Sequence, residues 1–470
     1  MNNPSLSTGA EGERGGNSAS TAGPPQGARA PSGGSDPHEM GERGGPQSIA
    51  QKIIARAAGK ASVRVGDIVT CKVDLAMFHD SSGPRRLKPM LDELGAQIWD
   101  KSKVVLVMDH YVPERDDAAR RIVRIARDWA AEQNLPHVYD SQGICHVVVP
   151  QHGHIRPGMF CVGGDSHSPT GGAFGAYMFG IGSTEMLGVV VTGEIWLRVP
   201  QTLAMNWSGH LASGVCAKDM MLAMIARFGM NGANYQAVEF TGGAVRSLSM
   251  QERMTLCNMS AELGAQTGLV APDDVTTDWL RGTGTLTPAA LSDIENWKAL
   301  QSDPGSFDVQ HDFDATELSP QLAAPHSPAL GVPIADHADT RIDIAYIGAC
   351  TGAKLDDLRF AAQVLKGRKV APGVQLMVAP ASLKDRAQAQ AEGTMQILTD
   401  AGATVLPSTC GACAGYGDGF AEGQTVISST ARNFKGRMGP ASTQVFLGSA
   451  YTVAASALRG CITDPRTVLS

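Results

Sequence analysis

Three cysteines in the C-terminal part of the chain are the first candidates for metal chemistry. Cys410 and Cys413 form a Cys-x-x-Cys pair, and Cys350 lies in a Gly/Thr loop after an apolar run. Such a pair can ligate a metal or a cluster, or act as a redox couple. Three thiolates from two loops would suit a four-iron cluster in which one iron lacks a protein ligand. A tetrahedral zinc site with a fourth ligand also fits the spacing, as does a dithiol with Cys350 merely nearby.

A glycine-flanked loop carries an aspartate two residues before a histidine, at Asp165 and His167, with Ser166 between them. A carboxylate in this position can orient the imidazole and tune its charge for proton transfer. A nucleotide-phosphate loop is the main rival, but the segment contains neither G-x-x-x-x-G-K-[ST] nor a strand-led G-x-G-x-x-G. An isolated tripeptide of this kind can also be purely structural.

Further histidines follow apolar runs, at His79, at His146 and in the pair Asp109-His110. Each of them alone is compatible with a half-buried structural histidine. Together with His167 they make four histidines in loops near predicted strand ends. This clustering predicts a shared polar cleft.

Two pairs farther along the chain could complete such a cleft. Asn258 and Glu262 are four residues apart, so a helix would place both on one face; an ordinary surface pair is the alternative. Arg432 and Arg437 flank a short turn. Guanidinium groups suit carboxylates, whereas a solvated basic turn is the alternative reading.

The elements that must position these residues follow an α/β rhythm, in which ligands gather at the carboxyl ends of strands. Helical periodicity begins after Ser48, and an extended connection is predicted near residues 298–340. We predict an amphipathic helix at Asp117–Gln133 and strands at Val104–Met108, His146–Val149, Ile342–Ile347, Leu376–Ala379 and Ala403–Leu406.

Composition limits the class of protein. The 470 residues include 43% hydrophobic and 18% charged residues, enough apolar material for ordinary globular cores. A net charge of −7 argues against a nucleic-acid-coating protein, and no apolar run approaches membrane-spanning length. Residues 1–47 are rich in Gly, Pro and Ser and are predicted to be a disordered tail. The nine cysteines are expected to stay reduced in the cytoplasm.

Taken together, residues 48–470 resemble the aconitase superfamily, and within it the large subunits of two-subunit hydro-lyases of the 3-isopropylmalate dehydratase type. The matching blocks are, in chain order, Lys72-Val73-Asp74, His79-Asp80-Ser81-Ser82-Gly83-Pro84, Asp109-His110, Gly143-Ile144-Cys145-His146, Gly164-Asp165-Ser166-His167, Cys257-Asn258-Met259-Ser260-Ala261-Glu262, Pro325-His326-Ser327-Pro328, Ile347-Gly348-Ala349-Cys350-Thr351, Cys410-x-x-Cys413 and Arg432-Asn433-Phe434-Lys435-Gly436-Arg437.

The resemblance implies a [4Fe–4S] cluster whose open iron binds the substrate, with Cys350, Cys410 and Cys413 as its ligands. The residues that it implies as catalytic are His110, His146, Asp165, His167 and Glu262. Those that it implies as substrate-binding are His79, Asp109, Ser166, Asn258, Arg432 and Arg437. The implied reaction is the reversible removal of water from a small hydroxy di- or tricarboxylate.

The implied fold is α/β, a three-domain core of the aconitase type without the swivel domain, with units at 48–204, 205–325 and 326–470. The family's catalytic serine lies in a Gly-Ser-Ser-Arg loop that this sequence lacks. We therefore expect a small partner subunit that carries the swivel domain and the serine, and neither a nucleic acid nor a membrane as partner.

A branched malate is the expected substrate, with 3-isopropylmalate of leucine biosynthesis first and 2,3-dimethylmalate, methylmalate (citramalate) or homoaconitate as alternatives. A non-catalytic iron–sulfur sensor and a zinc-dependent lyase are the rivals from other classes. Two positions depart from the family pattern: Gly352 and Ala431 stand where the family usually has asparagine.

Overall fold

The computed structural model describes residues 45–416 and 419–469, so the predicted tail lies outside the described residues except for 45–47. The strands within these ranges are β1 (Ile68–Lys72), β2 (Leu75–His79), β3 (Val104–Met108), β4 (His137–Asp140), β5 (Phe160–Gly163), β6 (Tyr177–Gly180), β7 (Glu194–Arg198), β8 (Thr202–Ser208), β9 (Ala237–Thr241), β10 (Thr267–Leu269), β11 (Val309–Asp314), β12 (Leu322–Ala323), β13 (Gly331–Val332), β14 (Ile344–Ile347), β15 (Gln375–Val378), β16 (Thr404–Val405), β17 (Thr425–Ser428) and β18 (Gln444–Leu447).

Helices alternate with these strands through most of the described chain. They are α1 (Ile49–Ala57), α2 (Pro84–Leu94), α3 (Asp117–Gln133), α4 (Cys145–Gln151), α5 (Ser183–Thr192), α6 (Ala217–Phe228), α7 (Gly243–Ser247), α8 (Met250–Met259), α9 (Asp274–Gly282), α10 (Pro288–Ser292), α11 (Ile294–Lys298), α12 (Leu355–Leu365), α13 (Leu383–Ala391), α14 (Thr394–Ala401) and α15 (Ala450–Arg459). None of those described combines the length and the apolar character that a membrane crossing requires.

The strands form three larger sheets and one antiparallel pair, β1 with β7. The first sheet has the order β4-β3-β2-β5-β6 and the second the order β10-β9-β8-β11, and all strand pairs in both are parallel. The third has the order β13-β12-β18-β17-β14-β15-β16, in which only β12 pairs antiparallel with its neighbours. The predicted α/β class is confirmed, while the three domain boundaries stay a prediction.

Local sequence explains where the predicted elements begin and end. Helix α3 starts behind Asp116, whose carboxylate accepts the N–H of Ala119, and stops at Asn134 in the left-handed conformation. Helix α1 starts behind Ser48 in a capping box with Gln51. Strand β3 is buried on both faces, as its unbroken run of apolar residues predicts for a parallel sheet.

The predicted strand at His146–Val149 is wrong, because these residues belong to helix α4. The three consecutive valines suggested β structure through their branched side chains. Tertiary contacts override that preference: the carboxylate of Asp109 accepts the N–H of Cys145 at the start of α4, at 2.7 Å. Every residue of α4 is buried, so packing rather than propensity decides its conformation.

The extended connection predicted near 298–340 is also wrong in part, since β11 lies within it and pairs with β8. Its alternation of apolar and polar residues was hidden among the surrounding Pro, Asp and Ser residues. Phe313 of β11 stacks on Trp207 of β8 with ring centroids 4.4 Å apart. This contact gives the edge strand an apolar anchor.

Asn258 and Glu262 do not share a helix face, contrary to the prediction. Helix α8 ends at Met259, and Glu262 lies in the turn that follows it. Both side chains are fully buried, which also excludes the alternative of a surface pair.

Candidate functional site

The first sheet brings three polar segments to one edge. Strand β2 ends at His79, β3 ends just before Asp109, and β5 ends just before the loop that carries Asp165. Because β2 pairs in parallel with both β3 and β5, their carboxyl ends lie side by side. The predicted cleft of histidines and aspartates therefore has a structural basis.

Asp109 and His110 form a buried ion pair. Nδ1 of His110 lies 2.7 Å from Oδ1 of Asp109. Burial alone would lower the pKa of His110, but the charges of Asp109, Asp165 and Asp80 outweigh it and raise the pKa to about 9. Burial opposes the charge of Asp109 as well, yet the adjacent His110 lowers its pKa to about 2. His110 therefore carries a proton at neutral pH.

His79 stacks on His110, with ring centroids 3.9 Å apart. Its Nδ1 accepts the backbone N–H groups of Ser81 and Ser82, so the ring proton belongs on Nε2. This Nε2 lies 3.7 Å from Oδ2 of Asp165, too far for a hydrogen bond, and has no partner among the described residues. His79 thus presents an unused donor inside the cleft.

Asp165 connects two further histidines. Its Oδ1 lies 2.7 Å from Nε2 of His146 and accepts the backbone N–H of His167 at 2.8 Å. Burial would raise the pKa of Asp165, but the nearby imidazoles hold it well below its ordinary value. Burial lowers the pKa of His146 in spite of this carboxylate. The loop therefore holds a charged Asp165 in contact with both His146 and His167.

Glu262 extends this network to the third sheet. Its Oε1 lies 2.9 Å from Nε2 of His167 and also accepts a hydrogen bond from Nε of Arg432. Burial opposes the charged form, but His167 and Arg432 lower the pKa of Glu262. Its second oxygen, Oε2, is buried without a partner among the described residues.

The cysteines lie at the same edge of the third sheet. Cys350 follows β14, Cys410 and Cys413 follow β16, and β14, β15 and β16 are parallel. The amide nitrogen of Asn258 donates to Sγ of Cys350 at 3.2 Å. The N–H of Cys410 donates to the backbone oxygen of Asp109 at 3.0 Å, which joins the cysteine loop to the first sheet.

The three sulfurs are not gathered as tightly as a single zinc ion would hold them. A tetrahedral zinc ion would hold three sulfurs about 4 Å apart, given Zn–S bonds of about 2.3 Å. Within the described ranges, the groups of three or more possible ligands whose atoms lie within 4.8 Å of one another contain only histidine and aspartate. The sulfurs of Cys350, Cys410 and Cys413 are therefore spread more widely than one zinc ion requires.

Two predicted residues lie at the margin of this network. Ser166 is exposed beside Asp165 and, with Arg432, lines a cavity of about 710 Å³ that opens next to the network. The charge of Arg437 acts on Cys413, and its buried Nε has no partner among the described residues. A hydrogen bond from Cys410, followed by opposing burial and the charge of Arg437, lowers the pKa of Cys413 to about 5.

Comparison with known proteins identifies the family. The model of the aconitase family (aconitate hydratase) matches residues 51–460. The chain belongs to the aconitase family. Aconitase-family relatives include the 3-isopropylmalate dehydratase large subunit 1 of Methanopyrus kandleri, 41% identical, covering 90% of this chain and all of that protein. A probable methanogen homoaconitase large subunit from Methanothermobacter thermautotrophicus is 38% identical and covers 89% of this chain and 97% of that protein.

A solved structure, holo-form aconitase X of Thermococcus kodakaraensis, is similar to this chain with a TM-score of 0.46 and 13% identity, covering 77% of this chain and 84% of that one. The family membership confirms the predicted hydro-lyase class. It leaves the non-catalytic sensor without support.

One aconitase-family departure has a structural explanation. A Cβ atom at Gly352 would lie 2.3 Å from the Cβ, Oγ and backbone oxygen of Ser429. The hydroxyl of Ser429 also accepts the N–H of Gly348 at 2.9 Å. The space beside the cysteine loop is therefore filled by Ser429, and the asparagine common in the family does not fit there. The structure offers no comparable account of Ala431, which is simply buried.

Sequence reasoning assigned no role to two side chains that hold the aconitase-type site together. Asp80 accepts the backbone N–H groups of His110 and Tyr111, at 3.1 and 2.8 Å. Lys218 of α6 is fully buried and donates to the carbonyl oxygens of Ser429 and Thr430. A lysine among the apolar residues of α6 was the available clue, because such a residue is almost never buried without partners.

Proposed function

We propose that this chain is the large, cluster-bearing subunit of a [4Fe–4S] hydro-lyase that reversibly dehydrates a branched malate, with 3-isopropylmalate first. The main support for this proposal is the convergence of three cysteines with a buried network of His, Asp, Glu and Arg side chains. Polar atoms of His79, Asn258, Glu262 and Arg437 are buried in this region without partners in the described chain. Buried polar groups normally have partners, so these atoms are available to a ligand.

Cys350, Cys410 and Cys413 would hold the cluster. When bound, the group would supply a Lewis acid for the hydroxyl and a carboxylate of the substrate. Asn258 supports this assignment, because its amide already donates to Sγ of Cys350 while its Oδ1 remains unpaired. Such hydrogen bonds to ligand atoms orient them and tune a metal group.

His110 is the proposed proton donor to the departing hydroxyl. Its raised pKa keeps the imidazolium charged at neutral pH, and general acids with well-placed protons contribute about 10²–10⁴-fold to a rate. His146 and His167, both in contact with Asp165, would orient the hydroxyl of the substrate. His79 would donate from its unused Nε2.

Arg432 and Arg437 are the proposed partners of the substrate carboxylates. Arg432 is held by Glu262 through Nε alone, which leaves its terminal nitrogens for a planar carboxylate. It also lines the cavity next to the network, so an anion entering from that side would meet it first. Ser166 lines the same cavity and would donate its hydroxyl there.

The relatives support the substrate class. Those at 38–41% identity are named as large subunits of 3-isopropylmalate dehydratase, and one is a probable homoaconitase large subunit. The lining of the cavity beside Arg432 includes the amides Asn231, Asn234 and Gln266. These amides suit a polar substituent, which makes homoaconitate the second candidate.

The catalytic serine is proposed to come from a small partner subunit, since this sequence lacks the Gly-Ser-Ser-Arg loop. We also propose a cytoplasmic location. All nine cysteines are free thiols, which fits a reducing compartment.

Iron and sulfide content after anaerobic reconstitution, together with EPR, is the first test. About four irons per chain, and a three-iron signal after mild oxidation, are expected for a cluster with one open iron. Stoichiometric zinc, or no metal, would contradict the proposal. The reconstituted chain with its small subunit should then be assayed with 3-isopropylmalate, homoaconitate, 2,3-dimethylmalate and citramalate by the absorbance of the alkene product.

A further inference from the structure

A second polar cavity lies at the opposite end of helix α4 from the candidate site. His146 stands near the start of α4, whereas His152 caps its end. A cavity of about 530 Å³ opens there, which we call the histidine cavity, and its lining includes His137, His152, His154, Arg156 and Lys103. It shares no lining residue with the cavity beside Arg432.

Aromatic contacts organise the three imidazoles of the histidine cavity. The hydroxyl of Tyr139 lies 2.6 Å from Nε2 of His154, and the ring of Tyr139 stacks on His152 with centroids 4.2 Å apart. The ring of His137 meets that of His154 edge-on at 4.5 Å. Because these contacts are mutual, the imidazoles are held in place before any ligand arrives.

The acidic residues of the histidine cavity are already engaged elsewhere. Asp74 accepts a hydrogen bond from Arg56 and another from the N–H of Phe160. Asp293 accepts the side-chain amide of Asn296. Among the described residues, no carboxylate is recorded as a hydrogen-bond or ion-pair partner of the three imidazoles.

Three cationic side chains, those of Arg56, Lys103 and Arg156, line the histidine cavity against two carboxylates, so its charge is positive on balance. Arg156 and Lys103 line it, and their side-chain nitrogens have no recorded acceptor among the described residues. Lys384 of α13 approaches from the other side, donating to the backbone oxygen of Gln151 at 3.4 Å. An oxyanion would be attracted to such a site.

We propose that the histidine cavity binds a phosphate group, either as inorganic phosphate or as the phosphate of a small monoester. Arg156 and Lys103 would supply the fixed charge, and His152 and His154 would donate ring N–H groups. These donors approach from different segments of the chain, which suits a tetrahedral anion better than a planar carboxylate. The proposal is independent of the hydro-lyase function, because no residue of that site takes part.

The protonation of the imidazoles supports this assignment. Burial, then the charges of His137, His152 and Arg156, lowers the pKa of His154 to about 4, and burial followed by Lys384 lowers that of His152. A bound anion would favour the charged imidazoles and raise both pKa values. Binding is therefore coupled to proton uptake and is tighter at lower pH. Asp74 would oppose an anion only weakly, because it is paired with Arg56. The charge of Asp293, which is bonded to the neutral amide of Asn296, would oppose the anion but is outnumbered by Arg156 and Lys103.

Isothermal titration calorimetry with inorganic phosphate and with glycerol phosphate tests the proposal on the full chain. One binding site is expected. The probe with the higher affinity indicates whether the ligand is inorganic phosphate or a phosphate monoester. Arg156→Gln and Lys103→Gln should each weaken binding at least tenfold. Arg124→Gln, an exposed arginine of α3, serves as the matched control and should leave it unchanged. Unchanged binding in both of the first two variants, or no binding to the native chain, would overturn the proposal.

The candidate site can itself attract anions, so a variant of that site must be tested as well. Arg432→Gln should keep phosphate binding if the histidine cavity is responsible; loss of binding in this variant alone would place the anion in the candidate site and refute the proposal. Sulfate, whose charge does not change between pH 6 and 8, should bind more tightly at pH 6. Equal sulfate affinity at the two pH values would contradict the coupling to His152 and His154. Far-UV circular dichroism checks that each variant is folded.

Discussion

Oδ1 of Asp109 lies 2.7 Å from Nδ1 of His110, and the other carboxylate oxygen of Asp109 accepts the N–H of Cys145. The carboxylate of Asp109 thus stabilises the protonated imidazole of His110 and accepts a hydrogen bond from the first residue of α4. The backbone oxygen of Asp109 also accepts the N–H of Cys410. Asp109 therefore links the proposed proton donor, the helix that carries His146 and the cysteine loop.

Asp109→Asn should shift the pH dependence of activity. The charge of Asp109 is a main cause of the raised pKa of His110, about 9 in the native chain. With that charge removed, Asp165 and Asp80 alone oppose burial, so the pKa of His110 falls and the imidazole loses its proton at lower pH. The alkaline limb of kcat, measured on the reconstituted complex, should therefore move from near pH 9 to lower pH. A limb that stays near pH 9 would show that another group titrates there.

The free energy of unfolding should depend on pH through the pair of Asp109 and His110. The pKa of His110 rises on folding from an unfolded value near 6.5 to about 9. The stabilisation is therefore fully present below about pH 6.5 and is lost as the pH rises through about 9. Urea unfolding of the apo chain should show a lower free energy of unfolding at pH 9.5 than at pH 6. This decrease should be smaller in Asp109→Asn than in the native chain. An equal decrease in both proteins would mean that His110 is not its source.

Asp165→Asn should abolish most of the activity without unfolding the chain. The substitution removes the charge that faces His146 and His167, both in contact with Asp165. Loss of one acid–base partner of this kind lowers kcat by about 10²–10⁴-fold. Asp128→Asn, at an exposed position of α3, is the matched control and should keep full activity. Comparable turnover in the two variants would remove Asp165 from the proposed mechanism.

Much of the site was predictable because its residues follow strands. The run at Val104–Met108 predicts β3 at its observed bounds, so Asp109 and His110 had to lie at a carboxyl end. Parallel pairing then brings such loops together. What the sequence did not reveal is contact between sheets, such as the hydrogen bond from Arg432 to Glu262 across 170 positions. No local pattern encodes a contact of that separation.

The local predictions failed in buried segments, where packing outweighs the preference of the local sequence. Three valines in α4 suggested a strand, yet their helix is enclosed on all sides. Asn258 and Glu262 suggested a helix face, but the chain leaves α8 at Met259 and turns to bury Glu262 against His167. In both cases the deciding interaction comes from a distant segment.

Gly352→Ala should destabilise the chain. A Cβ there would lie 2.3 Å from three atoms of Ser429, one of them the backbone oxygen, and overpacking typically costs about 1–3 kcal/mol. Gly188→Ala in α5 is the matched control, since nothing lies within 4 Å of its Cβ position. That control should be neutral or stabilising by up to about 1 kcal/mol. Thermal unfolding of the apo proteins measures both, and equal melting temperatures would contradict the packing argument.

Lys218→Met should loosen the apo chain near the cysteine loop. Lys218 donates to two buried carbonyl oxygens, those of Ser429 and Thr430. The oxygen of Ser429 keeps the hydroxyl of Thr351 as a donor, whereas that of Thr430 loses its partner, and an unsatisfied buried group costs about 1–3 kcal/mol. Hydrogen exchange of amides near Thr351 and Ser429 should accelerate, and the free energy of unfolding should fall. Lys435→Met, at an exposed position, is the control and should change neither quantity. Unaltered exchange in Lys218→Met would show that the two loops are held by other contacts.

The purified chain should be nearly inactive even when the proposed cluster is fully assembled. The proposed site supplies proton donors and carboxylate partners, whereas the base is proposed to come from the small subunit, since this sequence has no Gly-Ser-Ser-Arg loop. Removing the base from an acid–base reaction lowers the rate by about 10²–10⁴-fold. Titration of the reconstituted chain with its small subunit should raise turnover until the two are equimolar. Full turnover by the chain alone would place the base within residues that the present site does not include.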